Sequence, residues 1–187
     1  MNGYIKEKIL SPEELQEAID LSNSLEWYDL WQYYNLFHMK RADFGEGFDG
    51  GVREKYSFVN TLFEWSRRSN MIGFYFLRYI PGSFTRLHED NSTETTIVTL
   101  LDDKDLIGGN AVVREVYEPR GSRPADQTCN RTDQENKHPP YGQDIVLDVL
   151  PMEKGDSLVY GKELTHGVSK VYEGERLVLI TWFNDKA

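Results

Sequence analysis

Four histidines occur in the chain, and two of them stand where an ion could use them. The segment FTRLHED, residues 84–90, sets His88 two positions before Asp90. The segment LTHGVSKVYEGER, residues 164–176, sets His166 ten positions before Arg176. On an extended strand a two-residue spacing puts both side chains of the first pair on one face, within reach of a single ion. His166 lies between the strand-like runs DSLVYG and GVSKVY. Two imidazoles and one carboxylate leave three positions of an octahedral ion open. That suits ferrous iron, which must also bind a cosubstrate and oxygen. The plainer reading is that these are polar residues at strand ends.

Arg176 adds a second kind of chemistry. The turn YEGE folds the chain back, so the run RLVLITWF is expected to lie antiparallel beside the strand that bears His166. Alternation places Arg176, Val178, Ile180 and Trp182 on one face. An arginine on an otherwise apolar inward face is costly unless a carboxylate meets it. Its planar fork suits bidentate pairing with a small diacid. An internal ion pair with one of the 31 acidic residues, or snorkelling at the strand's start, would satisfy it as well.

The elements that must position these residues fall into two textures. SPEELQEAIDLSN opens a helix, with Ser11 as cap, Pro12 at the first helical position and Glu14 completing a capping box. SLEWYDLWQYYNLFHMK, residues 24–40, is predicted as a second helix from the spacing of Leu25, Tyr28, Trp31, Leu36 and Met39. REKYSFVNTLFEWSRRS, residues 53–69, is predicted as a third. FGEGFDGG between them reads as a flexible turn, because it lacks the Gly-Lys-Ser/Thr ending of a phosphate loop. From residue 72 the chain turns to short runs rich in β-branched and aromatic residues. Pro81-Gly82, Asp102-Asp103, Gly108-Gly109 and Glu173-Gly174 separate them. Helices packed on a β-sandwich or jelly roll are the expected architecture. Residues 118–143 are polar and strand-poor, and read as a long loop of the kind that forms lids or binding loops.

His88-x-Asp90, His166 and Arg176 together resemble the Fe(II)/2-oxoglutarate-dependent oxygenases, and most of all their prolyl 4-hydroxylase branch. RYIPGSFTRLHEDN is similar to that branch's tyrosine-and-glycine segment leading into His-x-Asp. TIVTLLDDKDLIGGNAVV resembles its strand, acidic turn and Gly-Gly strand, and KGDSLVYGKELTHGVSKVYEGERLVLITWF its closing segment. The likeness spans residues 74–183. It implies a double-stranded β-helix, or jelly roll, of α+β class with N-terminal supporting helices. The whole chain, 1–187, would be one oxygenase domain: helical support over 1–70, a jelly-roll core over 72–183 and a loop or lid over 118–143. It further implies Fe(II) on His88, Asp90 and His166, with 2-oxoglutarate as cosubstrate, O2, and ascorbate as an optional addition. Arg176 would hold the distal carboxylate of 2-oxoglutarate, helped by Tyr79, and Trp182 would line the pocket. Tyr79 reads equally as a sheet aromatic, and Trp182 as a core residue. The sequence departs from the branch in two places: Leu100-Leu101 stand where an aromatic often does, and Arg176 stands where many members use lysine.

The implied activity is hydroxylation of a substrate, with a prolyl residue of a peptide or protein leading. Hydroxylation of a free amino acid or other small molecule on the same site is the alternative. A jelly-roll binding module holding zinc or manganese, without turnover, is a third reading. The net charge of −10 argues against a general nucleic-acid or anionic-membrane surface. The single cysteine, Cys129, excludes an intrachain disulfide and fits a reducing cytoplasm. With no signal peptide at the start and no run of about 18 apolar residues, the chain is expected to be soluble and cytoplasmic. His38 is expected to pack in the aromatic helix and His138 to be a loop residue. Cys129 has no evident base partner, and Arg120, Arg123 and Arg131 make the long loop locally basic.

Overall fold

The computed structural model describes residues 3–44, 50–117 and 144–185. The proposed loop or lid over 118–143, with Cys129, His138, Arg120, Arg123 and Arg131, lies outside the described residues, as does most of the glycine-rich stretch. Helix α1 spans Pro12–Ser24. The Ser11 hydroxyl accepts from the Glu14 amide at 3.2 Å, and the Glu14 carboxylate accepts from the Ser11 amide at 2.8 Å. Those two bonds satisfy backbone donors that a helix start otherwise leaves unpaired. The third predicted helix divides at Tyr56 into α2 (Gly50–Lys55) and α3 (Ser57–Ser66). No helix among the described residues is long and apolar enough to cross a membrane.

The predicted second helix is a β-hairpin instead. Strands β2 (Tyr28–Tyr33) and β3 (Leu36–Asp43) pair antiparallel around a two-residue turn, Tyr34-Asn35, where Tyr34 takes a φ of 50°. Phe37 and Met39 are buried and His38 between them is exposed, which is the two-residue period of a strand. Aromatic side chains pack well on a pleated surface, and here a neighbouring strand is present to receive them. His38, expected inside a helix, sits exposed at a bulge with its ring edge-on to Trp31 at 5.5 Å.

The remaining strands are β1 (Tyr4–Glu7), β4 (Asn70–His88), β5 (Thr95–Asp102), β6 (Ile107–Gly108), β7 (Ala111–Tyr117) and β8 (Asp144–Leu150). Then come β9 (Ser157–Tyr160), β10 (His166–Val168), β11 (Val171–Glu173) and β12 (Arg176–Asn184). They build a curled antiparallel sheet in the order β1-β9-β5-β12-β4-β10-β7-β8, with β3 also on β4 and β2 on β3. Strands β6 and β11 form a separate pair. The architecture is a jelly roll with N-terminal supporting helices.

Two local expectations fail for one reason, the length of β4. Pro81-Gly82 does not end a strand. It makes a bulge within the 19 residues of β4, with Gly82 at a φ of 96°. The Ser83 hydroxyl accepts from the Ile80 amide at 2.8 Å and donates to the His38 carbonyl at 2.5 Å, closing the bulge. Before the bulge β4 pairs with β12, and after it with β10. Strand β12 is therefore not the neighbour of the His166 strand; it lies between β4 and β5. At the intervening turn Gly174, φ 73°, runs so close to loop 103–105 that an added Cβ would stand 2.3 Å from the Asp105 carbonyl oxygen. That passage sends β11 to β6 and β12 to the main sheet.

The alternation along β4 and β12 divides the interior. Phe74, Phe76, Leu177, Leu179 and Phe183 face the helices, where they bury against Phe58 and Leu62. Tyr75, Leu77, Tyr79 and Val178 face the other way, with Met39 of the hairpin and Leu100. The helices cover the outer face, and the hollow of the curl is left for a site.

Candidate active site

His88 ends β4 and His166 begins β10, and the two are direct cross-strand partners. Their ring centroids are 4.4 Å apart. The His88 Nδ1 lies 2.8 Å from the Arg86 carbonyl oxygen and the His166 Nδ1 2.9 Å from that of Leu164. A carbonyl can only accept, so each Nδ1 carries the proton and each Nε2 keeps its lone pair. Asp90 faces those lone pairs, with Oδ1 3.4 Å from the His88 Nε2 and Oδ2 3.8 Å from the His166 Nε2.

Asp90 does not share the strand with His88, because β4 stops at His88. A turn returns the carboxylate, held by the Thr93 amide donating to the Asp90 carbonyl at 3.1 Å. The Thr96 hydroxyl, from β5, donates to Asp90 Oδ2 at 2.7 Å. One ligand atom from each of His88, Asp90 and His166 falls within 4.8 Å of the others, so the three could hold one metal ion. Orienting bonds behind each ligand are what a metal site requires of its surroundings.

The electrostatics agree with that role. Burial, and then the neighbouring His88, push the His166 imidazole down to about 4, so it is neutral and able to ligate at neutral pH. Burial alone would raise the Asp90 carboxyl. The adjacent His88 and His166 rings and the Thr96 hydroxyl outweigh it and hold Asp90 below the ordinary carboxylate range.

Arg176 opens β12 opposite Tyr79 of β4, with its guanidinium carbon 5.1 Å from the centre of the Tyr79 ring. It is 2% exposed, yet it has no carboxylate partner among the described residues. Its Nη2 reaches the Met152 sulfur at 3.7 Å, and its Nη1 is buried without a hydrogen-bond acceptor. Burial lowers its hold on its proton, and only the phenols of Tyr79 and Tyr160 oppose that. Among the described residues neither an internal ion pair nor snorkelling satisfies it, so a buried positive charge is left needing a negative one. The Tyr79 hydroxyl is bonded to the Thr85 hydroxyl at 2.8 Å.

One cavity of about 340 Å³ is lined by all six residues singled out in the sequence: His88, Asp90, His166, Arg176, Tyr79 and Trp182. Trp182 meets the Tyr75 ring edge-on at 5.0 Å. Other walls went unseen in the sequence. Tyr160 of β9 lies against the His166 ring, centroids 4.2 Å apart, and Tyr75 sits four residues before Tyr79 on the inward face. Tyr75 could have been found by extending the alternation back from Tyr79. Tyr33 and Tyr34 come from the stretch that reads as a helix, and Arg41 directly follows it, so no face could be assigned to them.

No protein-family model matches the sequence, and neither does any curated protein. Solved structures do match in fold. A Pseudomonas putida prolyl-4-hydroxylase has 15% identity and a TM-score of 0.59, over 99% of this chain and 94% of its own. HygX from Streptomyces hygroscopicus, solved with nickel and 2-oxoglutarate bound, has 16% identity and a TM-score of 0.65, over 98% and 83%. SnoN, a non-heme alpha-ketoglutarate-dependent epimerase of nogalamycin biosynthesis, has 16% identity and a TM-score of 0.67, over 98% and 78%. The structural neighbours are 2-oxoglutarate/Fe(II) oxygenases, prolyl 4-hydroxylases among them. At these identities the likeness is one of fold.

Proposed function

We propose that the protein is an Fe(II)- and 2-oxoglutarate-dependent dioxygenase whose leading substrate is a prolyl residue in a peptide or protein. The observation that carries this reading is Arg176, a buried arginine without a carboxylate partner among the described residues, in the cavity that also holds a His-Asp-His cluster. A metal-binding module that does no chemistry has no use for that arginine.

His88 Nε2, His166 Nε2 and an Asp90 carboxylate oxygen would hold the iron. Arg176 would take the distal carboxylate of 2-oxoglutarate, with Tyr79 beside it. Iron, 2-oxoglutarate and O2, when bound, would supply the oxidising chemistry that inserts one oxygen atom into a C–H bond, the other oxygen entering succinate as 2-oxoglutarate loses carbon dioxide. The chain's part is preparatory. The Arg86 and Leu164 carbonyls fix both imidazoles in the tautomer that ligates. Thr96 holds the Asp90 carboxylate toward them. Ile180, Val98 and Trp182 line the same space with apolar surface, which keeps bulk water from the reacting atoms.

Hydroxylation of a small molecule on the same site is the second reading. It is favoured by the likeness to HygX, of which one structure carries hygromycin B. Incubation with Fe(II), 2-oxoglutarate and air, with blocked proline peptides competing against free proline, separates the two. Succinate release with gain of one oxygen atom by a peptide supports the first reading, and gain by free proline supports the second. Absence of succinate under every condition sinks both.

A further inference from the structure

A second arginine faces the cavity, and it is built differently. Arg41 of β3 carries its guanidinium carbon 4.0 Å from the centre of the Tyr75 ring. Its Nε and Nη2 both donate to Asp43 Oδ1, at 2.8 and 2.6 Å. The Tyr28 hydroxyl, across the hairpin, donates to the other Asp43 oxygen. Asp43 is the more exposed member of the ion pair, 40% against 18% for the Arg41 side chain. The pair is thus turned with its cation inward. A guanidinium has five N–H donors. Asp43 takes two of them, so three remain unpartnered among the described residues, including the whole of Nη1. The Tyr75 hydroxyl is also unpartnered among the described residues, although Tyr75 is only 6% exposed. Both side chains line the cavity, together with Tyr33, Tyr34 and Leu36 of the hairpin.

We infer that the free edge of Arg41, with the Tyr75 hydroxyl, forms a second carboxylate-binding subsite, and that it receives an acidic group of the substrate. This rests on the oxygenase reading for the identity of the ligand on Arg176. A planar fork with two parallel N–H donors matches a carboxylate in shape and charge. A phosphate dianion would find too little positive charge, because Arg41 and Arg176 are the lysine or arginine side chains lining the cavity among the described residues. Arg41 lies over Tyr75 and Arg176 over Tyr79, two tyrosines four residues, or about 13 Å, apart along β4. A five-carbon diacid with one carboxylate on Arg176 and its other end toward the His88, Asp90 and His166 cluster would leave Arg41 to another ligand. The Asp43 contact is the orienting tether. It fixes the plane of the guanidinium before any substrate arrives, as stacking on Tyr75 does from below. The carboxylate could be the α-carboxylate of an amino acid or a chain end, or an acidic side chain within a peptide.

Calorimetric titration of the nickel-substituted, 2-oxoglutarate-loaded protein tests the subsite directly. The probes are N-acetyl-L-proline and its carboxamide, and a blocked proline peptide carrying one glutamate and its glutamine counterpart. At least one acid is expected to bind about tenfold to a hundredfold more tightly than its amide partner. N-acetyl-L-proline showing the preference identifies a terminal carboxylate, and the peptide showing it identifies a side chain. Arg41→Gln should abolish the preference, Arg41→Lys should restore part of it, and Tyr75→Phe should reduce it. Equal binding of each acid and its amide, no binding of any acid, or a preference that survives Arg41→Gln overturns the subsite. Anaerobic Fe(II) and 2-oxoglutarate, added to Arg41→Gln, should still give the visible band of the chelate, which shows a folded protein with its other arginine intact. If the wild-type protein gives no such band, the oxygenase reading fails on its own. The same probes on the metal-free protein then still decide the role of Arg41.

Discussion

Arg176 and Arg41 face one cavity from two strands that flank β4, and they differ in what holds them. Arg41 has a carboxylate at 2.6 Å, an aromatic ring beneath it and a partly open side. Arg176 is deeper and has a thioether and a ring, but no negative charge among the described residues. Folding alone accounts for the first, since the Asp43 pair satisfies much of it. It does not account for the second, because a buried cation without a partner among the described residues opposes folding. The lesson is that a missing partner marks a ligand more clearly than a satisfied one does. Arg41 becomes informative only when its unused donors are counted.

The comparison is broken most easily by measuring 2-oxoglutarate affinity. Arg176→Met should weaken it by about a hundredfold or more, as loss of one member of a buried charge pair costs roughly 2–5 kcal/mol. Arg41→Gln should leave it within about twofold, and calorimetry on the nickel form checks both. A large loss in Arg41→Gln would merge the two arginines into one site.

A pH series on the metal-free protein examines the centre between them. The His166 imidazole titrates near 4 when folded and near its ordinary 6.5 when unfolded. The unfolded chain therefore binds the extra proton between those values, and stability rises with pH across that window. It is lost as pH falls from 6.5 toward 4, by about 3 kcal/mol in all. Asp90, held low when folded, adds a loss of the same sign as pH falls through the carboxylate range. Urea midpoints at successive pH values read this directly, and a flat profile would contradict it. Arg176→Met should also stabilise the metal-free protein, by about 1–4 kcal/mol, because it replaces a buried charge, unpaired among the described residues, with apolar volume. Smallest of all, Arg41→Met should cost at most about 1 kcal/mol, as it breaks a partly exposed pair. Opposite signs for the two substitutions would sharpen the contrast, and equal signs would remove it.

The sequence makes the deeper arginine visible and hides the other. Arg176, Val178, Ile180 and Trp182 alternate in a run rich in β-branched residues, so strand and face both follow from the letters. Ser11, Pro12 and Glu14 declare the start of α1 in the same local way. The stretch from Leu25 to Met39 carries aromatics whose spacings of three and four also occur by accident in two paired strands. Only the partner strand β4 decides the case, and a partner is not a local property. Arg41 lies two residues beyond that stretch and could not be placed. The same limit explains Asp90, whose return toward His88 depends on Thr96 of β5, and β12, whose neighbour is set by the length of β4.

The most direct test of the whole account is an anaerobic titration with Fe(II) and 2-oxoglutarate, followed by the visible band of the chelate, in wild type, Asp90→Ala and Arg176→Met. The expected result is a band in wild type, none in Asp90→Ala, and one that needs about a hundredfold more 2-oxoglutarate in Arg176→Met. Iron bound by wild type without a band, or an Arg176→Met protein that chelates 2-oxoglutarate as tightly as wild type, would contradict it.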